Sequence, residues 1–480
     1  MLEPDKFAFN FIDILENGKH EYKLVTTIRN VPIKSNFRIQ DNNNYILSFT
    51  LLPDQYKKGL NLDYFFQKPF GLVTDGMRIF VHNFKVVAGN HGLDIDSPCD
   101  YKIEINSFKG DADESMWKQS KQRAYIKYCS NKFNPYSSGL LFDLTTEAND
   151  NGFYNAVSLK IENMDVLFYH ERTGQNFGYF VIWSKQEIDF EVFQPIVNSV
   201  ITAFGFLNGF YMLDTIYYFT MKEIGNTNNV SFYYENFKTA INSNNPIIDS
   251  GNYVDISEDQ RKLSSAQFNR LVNLLFNDQD YLRAAYLLIE TGTLNKPSKA
   301  SLAAVALETI TSKIGEKMNA AKIIEEKKVF RGLVYKLKKV LKEYQDSINK
   351  EQFSILSNKL NAINTKPNSS KFTEAFDQLG LSLSDEELEC IKSRNLFLHG
   401  NLPRNKKSNL SDQELLGILA NRLVMLSSIL LLKLIGFEGY VIDRGMTEVI
   451  KWRMIMQGQK APGGNFLRNI AKPDHLLDKV

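Results

Sequence analysis

The feature that most constrains this chain is a change of hydrophobic period along its length. From Met1 to about Ser184 apolar and polar residues alternate mostly with a period of two, whereas past Ser257 apolar residues recur every three to four positions. Strands turn successive side chains to opposite faces and helices bury one stripe, so the two patterns belong to different architectures. The reading is an α+β multidomain chain: a β-rich, sandwich-like N-terminal domain followed by an all-α bundle. The boundaries expected are 1–235 for the β-rich domain, 236–256 for a linker, 257–443 for the helical domain and 444–480 for a C-terminal extension. With 480 residues the chain exceeds one ordinary core, which agrees with more than one domain.

The β-rich half offers candidate strands at Glu21–Ile28, Tyr45–Leu51, Arg78–Val87, Tyr101–Ile105, Ala124–Tyr128, Val157–Ile161 and Tyr179–Trp183. They are rich in Ile, Val, Tyr and Phe, and turn-forming stretches such as Asp41–Asn44, Ala88–Gly92 and Asn149–Gly152 separate them. That spacing predicts an antiparallel sandwich or jelly roll. A helix over Phe190–Leu213 follows, then short aromatic strands at Ile216–Met221 and Ser231–Tyr234. Little here suggests catalysis. His82, His91, Asp94, Asp96 and Cys99 are close in sequence but match no metal-ligand spacing, and read as a polar loop. Tyr233 and Tyr234 read as core filling rather than a binding surface. The chain has neither a glycine-rich phosphate loop nor a dinucleotide fingerprint.

Composition bounds the rest. Hydrophobic residues make up 43% of the chain and charged residues 23%, the proportions of a soluble globular protein rather than a disordered one. A formal net charge of +2 argues against a protein coated in nucleic acid. Three cysteines, Cys99, Cys129 and Cys390, are odd in number and far apart, which suits a reducing compartment. The N-terminus has no basic region leading into an apolar one, and the apolar stretches Pro195–Leu213 and Leu423–Ile435 are interrupted or too short to span a bilayer. The expectation is a cytoplasmic protein with no membrane partner.

Gly225–Asp255, rich in Asn, Ser and Gly, reads as a linker and hinge. Beyond it the 3.6 period predicts helices over Ser264–Phe276, Tyr281–Thr291, Lys299–Gly315, Lys322–Asn349, Lys371–Leu379, Asp385–His399 and Asp412–Gly436. The fourth shows an apolar seam of Ile323, Phe330, Leu333, Leu337, Val340, Leu341 and Tyr344. Its other face carries Lys327, Arg331, Lys338 and Lys342, a solvated stripe or an RNA contact. The last helix is apolar nearly all round, so it is either the buried centre of a bundle or half of a dimer interface through Leu426, Leu430 and Leu434.

Chemistry concentrates in SDEELECIKSRNLFLHG, Ser384–Gly400. Ser384 and Glu387 form a capping-box pattern, Leu383 and Leu388 stand at staple positions, and Asp385 and Glu386 favour the positive end of the helix dipole. Gly400 ends the helix as a residue free to take the left-handed conformation. Arg394, Asn395 and His399 cluster at that end. An arginine can fork onto phosphate oxygens and a histidine can move protons near neutral pH. The plain alternative is a solvated arginine followed by a histidine capping the last carbonyls.

An all-helical domain with Arg-Asn-x3-His-Gly ending its penultimate core helix, followed by a long apolar helix, resembles a HEPN domain (higher eukaryotes and prokaryotes nucleotide-binding). The helix LAAVALETITSKIG, Leu302–Gly315, is similar to the core helix of the ApeA-like HEPN subgroup, and a β-rich domain ahead of it matches the layout of ApeA-type defence proteins. The resemblance covers roughly residues 257 to 440, and RNLFLHG is its sharp motif. It implies a metal-independent endoribonuclease without cofactors, acting as a homodimer or higher oligomer in anti-phage defence, abortive infection or toxin systems. RNA, whether tRNA or another structured RNA, and a phage-derived trigger would be its partners. The N-terminal domain would sense or regulate.

Under that resemblance Arg394 is the motif arginine, Asn395 the polar residue after it, and His399 the motif histidine. Glu308 is a candidate supporting acid. Lys392, Arg404, Lys406 and Lys407 are candidate RNA contacts, with Lys451 and Arg453 beyond them. Five residues of ideal helix rotate a side chain by about 500°, leaving Arg394 and His399 about 140° apart. They converge only at a frayed end or across two protomers. RNA supplies its own 2′-hydroxyl nucleophile. His399 would move protons, Arg394 would stabilise phosphoryl charge, and the products would be a 2′,3′-cyclic phosphate and a 5′-hydroxyl. The competing class is a non-catalytic dimeric HEPN module joined to a sensing domain.

Overall fold

The structure is a computed structural model describing residues 3–17, 20–25, 35–40, 44–51, 69–74, 77–90, 98–110, 114–129, 145–149, 152–172, 177–211, 215–221, 230–236, 241–242, 245–248, 256–317, 323–324, 326–364, 368–401, 410–457 and 466–471. The chain forms two compact units. One comprises Met1–Pro246 with Ser250–Asn277, and the other Ile247–Asp249 with Asp278–Val480.

The first unit opens with helix α1 (Glu3–Asn17) and continues through strands β1 (His20–Val25), β2 (Ser35–Gln40), β3 (Asn44–Leu51), β4 (Phe70–Thr74), β5 (Met77–Asn90), β6 (Cys99–Gly110) and β7 (Ser120–Cys129). Next come β8 (Thr145–Asn149), β9 (Gly152–Ile161), β10 (Met164–Arg172), β11 (Phe177–Ile188), helix α2 (Phe190–Asn208), β12 (Phe210–Tyr211), β13 (Thr215–Met221), β14 (Val230–Asn236), β15 (Ile241–Asn242) and helix α3 (Ser265–Asn277). Instead of a sandwich of two sheets there is one 13-stranded sheet, in the order β3-β2-β1-β4-β5-β6-β14-β13-β7-β11-β10-β9-β8, with β3 also paired to β6. The long β6 explains this. Along one edge it pairs with β5, and along the other first with β3 over Cys99–Ile105, then with β14 over Ser107–Lys109. Strands β1 to β6 therefore close into a ring, which removes their free edges.

Helices cover both faces of the open part. On β13, Tyr217 and Phe219 belong to the core around α1, with Ala8, Phe9, Ile12 and Leu15, while Tyr218 lies 6.3 Å from Phe193 of α2. With both faces buried, TIYYFTM reads as a continuous apolar run. Two carboxylates tie α1 to the sheet. Asp5 accepts from Arg123 at 2.6 Å, Tyr125 at 2.7 Å and Tyr169 at 2.9 Å, and Glu16 accepts from Lys127 at 2.5 Å and Tyr217 at 2.8 Å. Burial alone would lower the Arg123 pKa, but the two tyrosines and Asp5 raise it. The Tyr125 and Tyr169 hydroxyls are pushed well above their ordinary range, chiefly by burial.

The helix expected to open the helical half, α3, packs instead on the sheet unit. Phe268 stacks on Phe168 at 6.1 Å. Asn269 accepts from the Lys160 amide at 2.9 Å, and Asn273 donates to the Lys160 carbonyl at 2.8 Å. The division between units thus falls at Asn277/Asp278. Most of the Gly225–Asp255 hinge expectation lies outside the described residues, but within it β14 is a sheet strand, and the Ile247 carbonyl accepts from Ile442 of the second unit at 2.9 Å.

The second unit contains α4 (Gln279–Glu290), α5 (Lys296–Lys317), α6 (Lys327–Glu343), α7 (Lys350–Ala362), α8 (Asn368–Gln378), α9 (Asp385–Leu398), α10 (Asp412–Leu434) and α11 (Arg444–Met456). A small ribbon, β16 (Tyr440–Ile442) with β17 (Leu467–Asn469), joins them, so the unit is not all-α. The helix expected over Lys322–Asn349 stops at Glu343, because a second capping box, Asn349 with Gln352, starts α7. Helix α10 is the central one: Leu416 to Leu432 are largely buried, against α5, α11 and α4. Leu426 and Leu430, read as a possible dimer girdle, are 0% exposed within the single chain. Helices α2 and α10 are long and apolar enough to cross a membrane, yet most of each is buried inside the protein.

Candidate functional site at the end of α9

Helix α9 starts as its sequence predicts. Ser384 accepts from the Glu387 amide at 3.3 Å, and Glu387 accepts from the Ser384 amide at 2.9 Å, completing the capping box. The Glu387 side chain is nonetheless buried, and its partner is Arg468 of β17. Arg468 also donates to the Ser382 carbonyl at 2.9 Å. The C-terminal extension therefore holds the start of the motif helix in place. Sequence reasoning gave Arg468 no role, and no local signal points to it.

The other end closes on Gly400 at φ +70°. The Asn401 amide reaches the Leu396 carbonyl at 2.8 Å and the Gly400 amide the Phe397 carbonyl at 3.1 Å. This pair of bonds satisfies carbonyls that a bare helix end would leave open. The Ser301 hydroxyl of α5 adds a bond to the Phe397 carbonyl at 3.1 Å.

Between these caps the helix has two distinct sides. Glu387, Cys390, Ile391, Arg394 and Phe397 form the buried stripe. The Cys390 thiol donates to the Leu419 carbonyl at 3.4 Å, and burial pushes it up to about 12, against the pull of Arg422. Arg394 occupies the place in this stripe where an apolar residue is usual. Its guanidinium lies 3.4 Å from the centre of the Phe372 ring and donates through Nη1 to the Ile391 carbonyl at 2.8 Å. Its buried Nε has no hydrogen-bond partner among the described residues. Burial lowers the Arg394 pKa, and the charge of Glu308, an exposed residue of α5, opposes that shift.

The solvent side carries Lys392, Asn395, Leu396 and His399, all exposed. Spacings of three and four residues bring Lys392, Asn395 and His399 onto one face. Among the described residues Lys392 makes a long contact, 4.0 Å, to the exposed Glu389. His399 is the C-cap residue, its amide bonded back to the Asn395 carbonyl at 3.2 Å. Its ring makes no hydrogen bond among the described residues. The fold thus brings together Lys392, Asn395 and His399, while Arg394 turns about 140° away, as the helical rotation requires. Arg404, Lys406 and Lys407 lie outside the described residues, as do His91, Asp94 and Asp96 of the N-terminal half.

Comparisons with family models, curated proteins and solved structures find no match to this chain.

Proposed function

We propose that the helical unit is a metal-independent endoribonuclease of the HEPN type, with His399 as its proton-transfer group. One observation carries this reading: a histidine, an amide and a lysine stand exposed together on the capped end of a helix whose other side is locked into the core. His399 takes the proton of an RNA 2′-hydroxyl or gives one to the departing 5′-oxygen, and Lys392 and Asn395 bind the phosphate between them. General acid and general base are two tasks, and each chain presents one imidazole on this face. A second copy supplies the other. Arg394, stacked on Phe372, serves in this arrangement as a positioning residue that fixes the helix end. The sheet unit, whose Asp5 and Glu16 clusters tie α1 to the sheet, senses or restrains.

The test is incubation of the purified full chain with total cellular RNA, with and without EDTA. The proposal expects cleavage in both, ending in 2′,3′-cyclic phosphates. A second reading, a non-catalytic dimeric module, is favoured by the burial of Arg394, and it expects no cleavage in either.

A further inference from the structure

Helix α6, KKVFRGLVYKLKKVLKE, holds seven cations against one acid, Glu343, a net charge of +6 over its 17 residues. The whole chain has a formal net charge of +2, so everything outside this helix is net −4. Positive charge is concentrated here, and a polyanion is drawn to this helix rather than to the rest of the molecule.

At 100° per residue, Lys327, Lys328, Arg331, Lys338, Lys339 and Lys342 fall within about 120° of the circumference and run along about 22 Å of the axis. Five of the six are exposed and Lys338 is half-buried. None of them makes an ion pair among the described residues. Lys327 and Arg331, Lys328 and Arg331, Lys338 and Lys342, and Lys339 and Lys342 are three or four residues apart, the spacing at which like charges weaken a helix. A face built for solubility alone would alternate its cations with acids. Here the repulsion is left for an outside anion to relieve.

Tyr335 lies inside the same arc, with Arg331 and Lys339 one turn to either side. It is 73% exposed, and its ring stacks on no other ring among the described residues. The ring selects among polyanions. An acidic peptide presents carboxylates without aromatic faces, and a duplex keeps its base faces stacked inside. A single strand offers phosphates to the cations and an unstacked base to the tyrosine. An anionic bilayer takes cations that flank an apolar surface. The exposed apolar edge of α6, Val329, Leu333 and Val340, lies roughly 160° around from the centre of the arc, and Lys336 alone of the seven cations stands beside it.

We propose that the basic arc of α6, centred on Tyr335, is a docking surface for single-stranded nucleic acid, RNA and DNA alike. Cations on phosphates and a ring on a base face read neither sequence nor the 2′-hydroxyl. The surface shares no residue with the end of α9, where the proposed chemistry needs that hydroxyl, and it does not depend on the ribonuclease reading.

Fluorescence anisotropy of a labelled oligothymidylate of about 20 nucleotides, titrated with the full chain, tests it. DNA lacks the 2′-hydroxyl nucleophile, so the probe stays intact whether or not the chain cuts RNA, and the two proposals fail separately. Affinity should fall on the order of a hundredfold between about 50 and about 200 mM salt. Arg331→Glu combined with Lys339→Glu should weaken binding at least about tenfold and flatten the salt dependence. Tyr335→Ala should weaken it at least about fivefold with the salt dependence kept. Lys336→Glu, off the arc, should change it less than about threefold at the higher salt. A 2′-O-methyl RNA strand of the same length should bind within about tenfold of the DNA. Circular dichroism checks that α6 stays helical, and Arg331→Gln with Lys339→Gln replaces the charge reversal if it does not. Absence of binding at the lower salt, full affinity in Tyr335→Ala, or a larger preference for either sugar would overturn the proposal. So would displacement of the strand by polyglutamate or phosphatidylserine vesicles at equal charge, which would assign the arc to an acidic protein or a membrane.

Discussion

Arg394 and His399 are five positions apart and do opposite things. At a helix end, truncating either would cost about 1 kcal/mol or less, and the sequence alone suggests that for both. For His399 the expectation stands, because the side chain is exposed. For Arg394 it does not. Removing a buried guanidinium loses its packing on Phe372 and its bond to the Ile391 carbonyl, so Arg394→Ala should destabilise the helical unit by about 2 kcal/mol or more. Urea unfolding measures this, and a variant as stable as the wild type would show that Arg394 does not hold the helix. The buried stripe was legible all along: Cys390, Ile391 and Phe397 stand at helical spacing from Arg394. A charged residue in the pattern masked it. Asp5 is a parallel case in the first unit. Asp5→Asn leaves Arg123 buried without its counter-charge and should cost about 3–5 kcal/mol, read by thermal or denaturant unfolding. A loss below about 1 kcal/mol would mean that the tyrosines alone satisfy the arginine.

Elements with local signals were easy to read and elements defined by distant partners were not. The capping boxes and the closing glycine of α9 follow from neighbours along the chain, as do the seven strands that alternate or run apolar in the first half. Helix α1 was missed although its buried Asp5, Ala8, Phe9, Ile12 and Leu15 recur at helical spacing. Strand β10 was missed although MDVLFYHER carries a buried apolar run, and α7, between the helices expected over Lys322–Asn349 and Lys371–Leu379, was missed although Phe353, Leu356, Leu360 and Ile363 recur at helical spacing. The contact that holds α9 is the least local of all: Arg468 meets Glu387 across 81 positions. Arg468→Ala removes the cation that faces a buried carboxylate and should cost about 3–5 kcal/mol. Hydrogen exchange should then show early opening at the start of α9. Unchanged protection there would mean that the capping box suffices without the ribbon.

At the scale of the whole molecule, the change of hydrophobic period located two architectures correctly, and the pairing of the strands set where one ends. Amphipathic pattern shows that α3 is a helix but not which unit its stripe faces, so the expected boundary came too early in the chain. The same limit applies to the site. A motif names residues, and only the core decides which of them meet solvent. The account stands or falls on His399 as the group that moves the proton. The most direct measurement is the single-turnover rate of RNA cleavage by the full chain in EDTA, comparing wild type with His399→Ala and with unfolding curves of both. The account predicts cleavage by the wild type, a loss of at least about a hundredfold in the variant, and superimposable unfolding. Equal cleavage by the two proteins, or none by either, would contradict it.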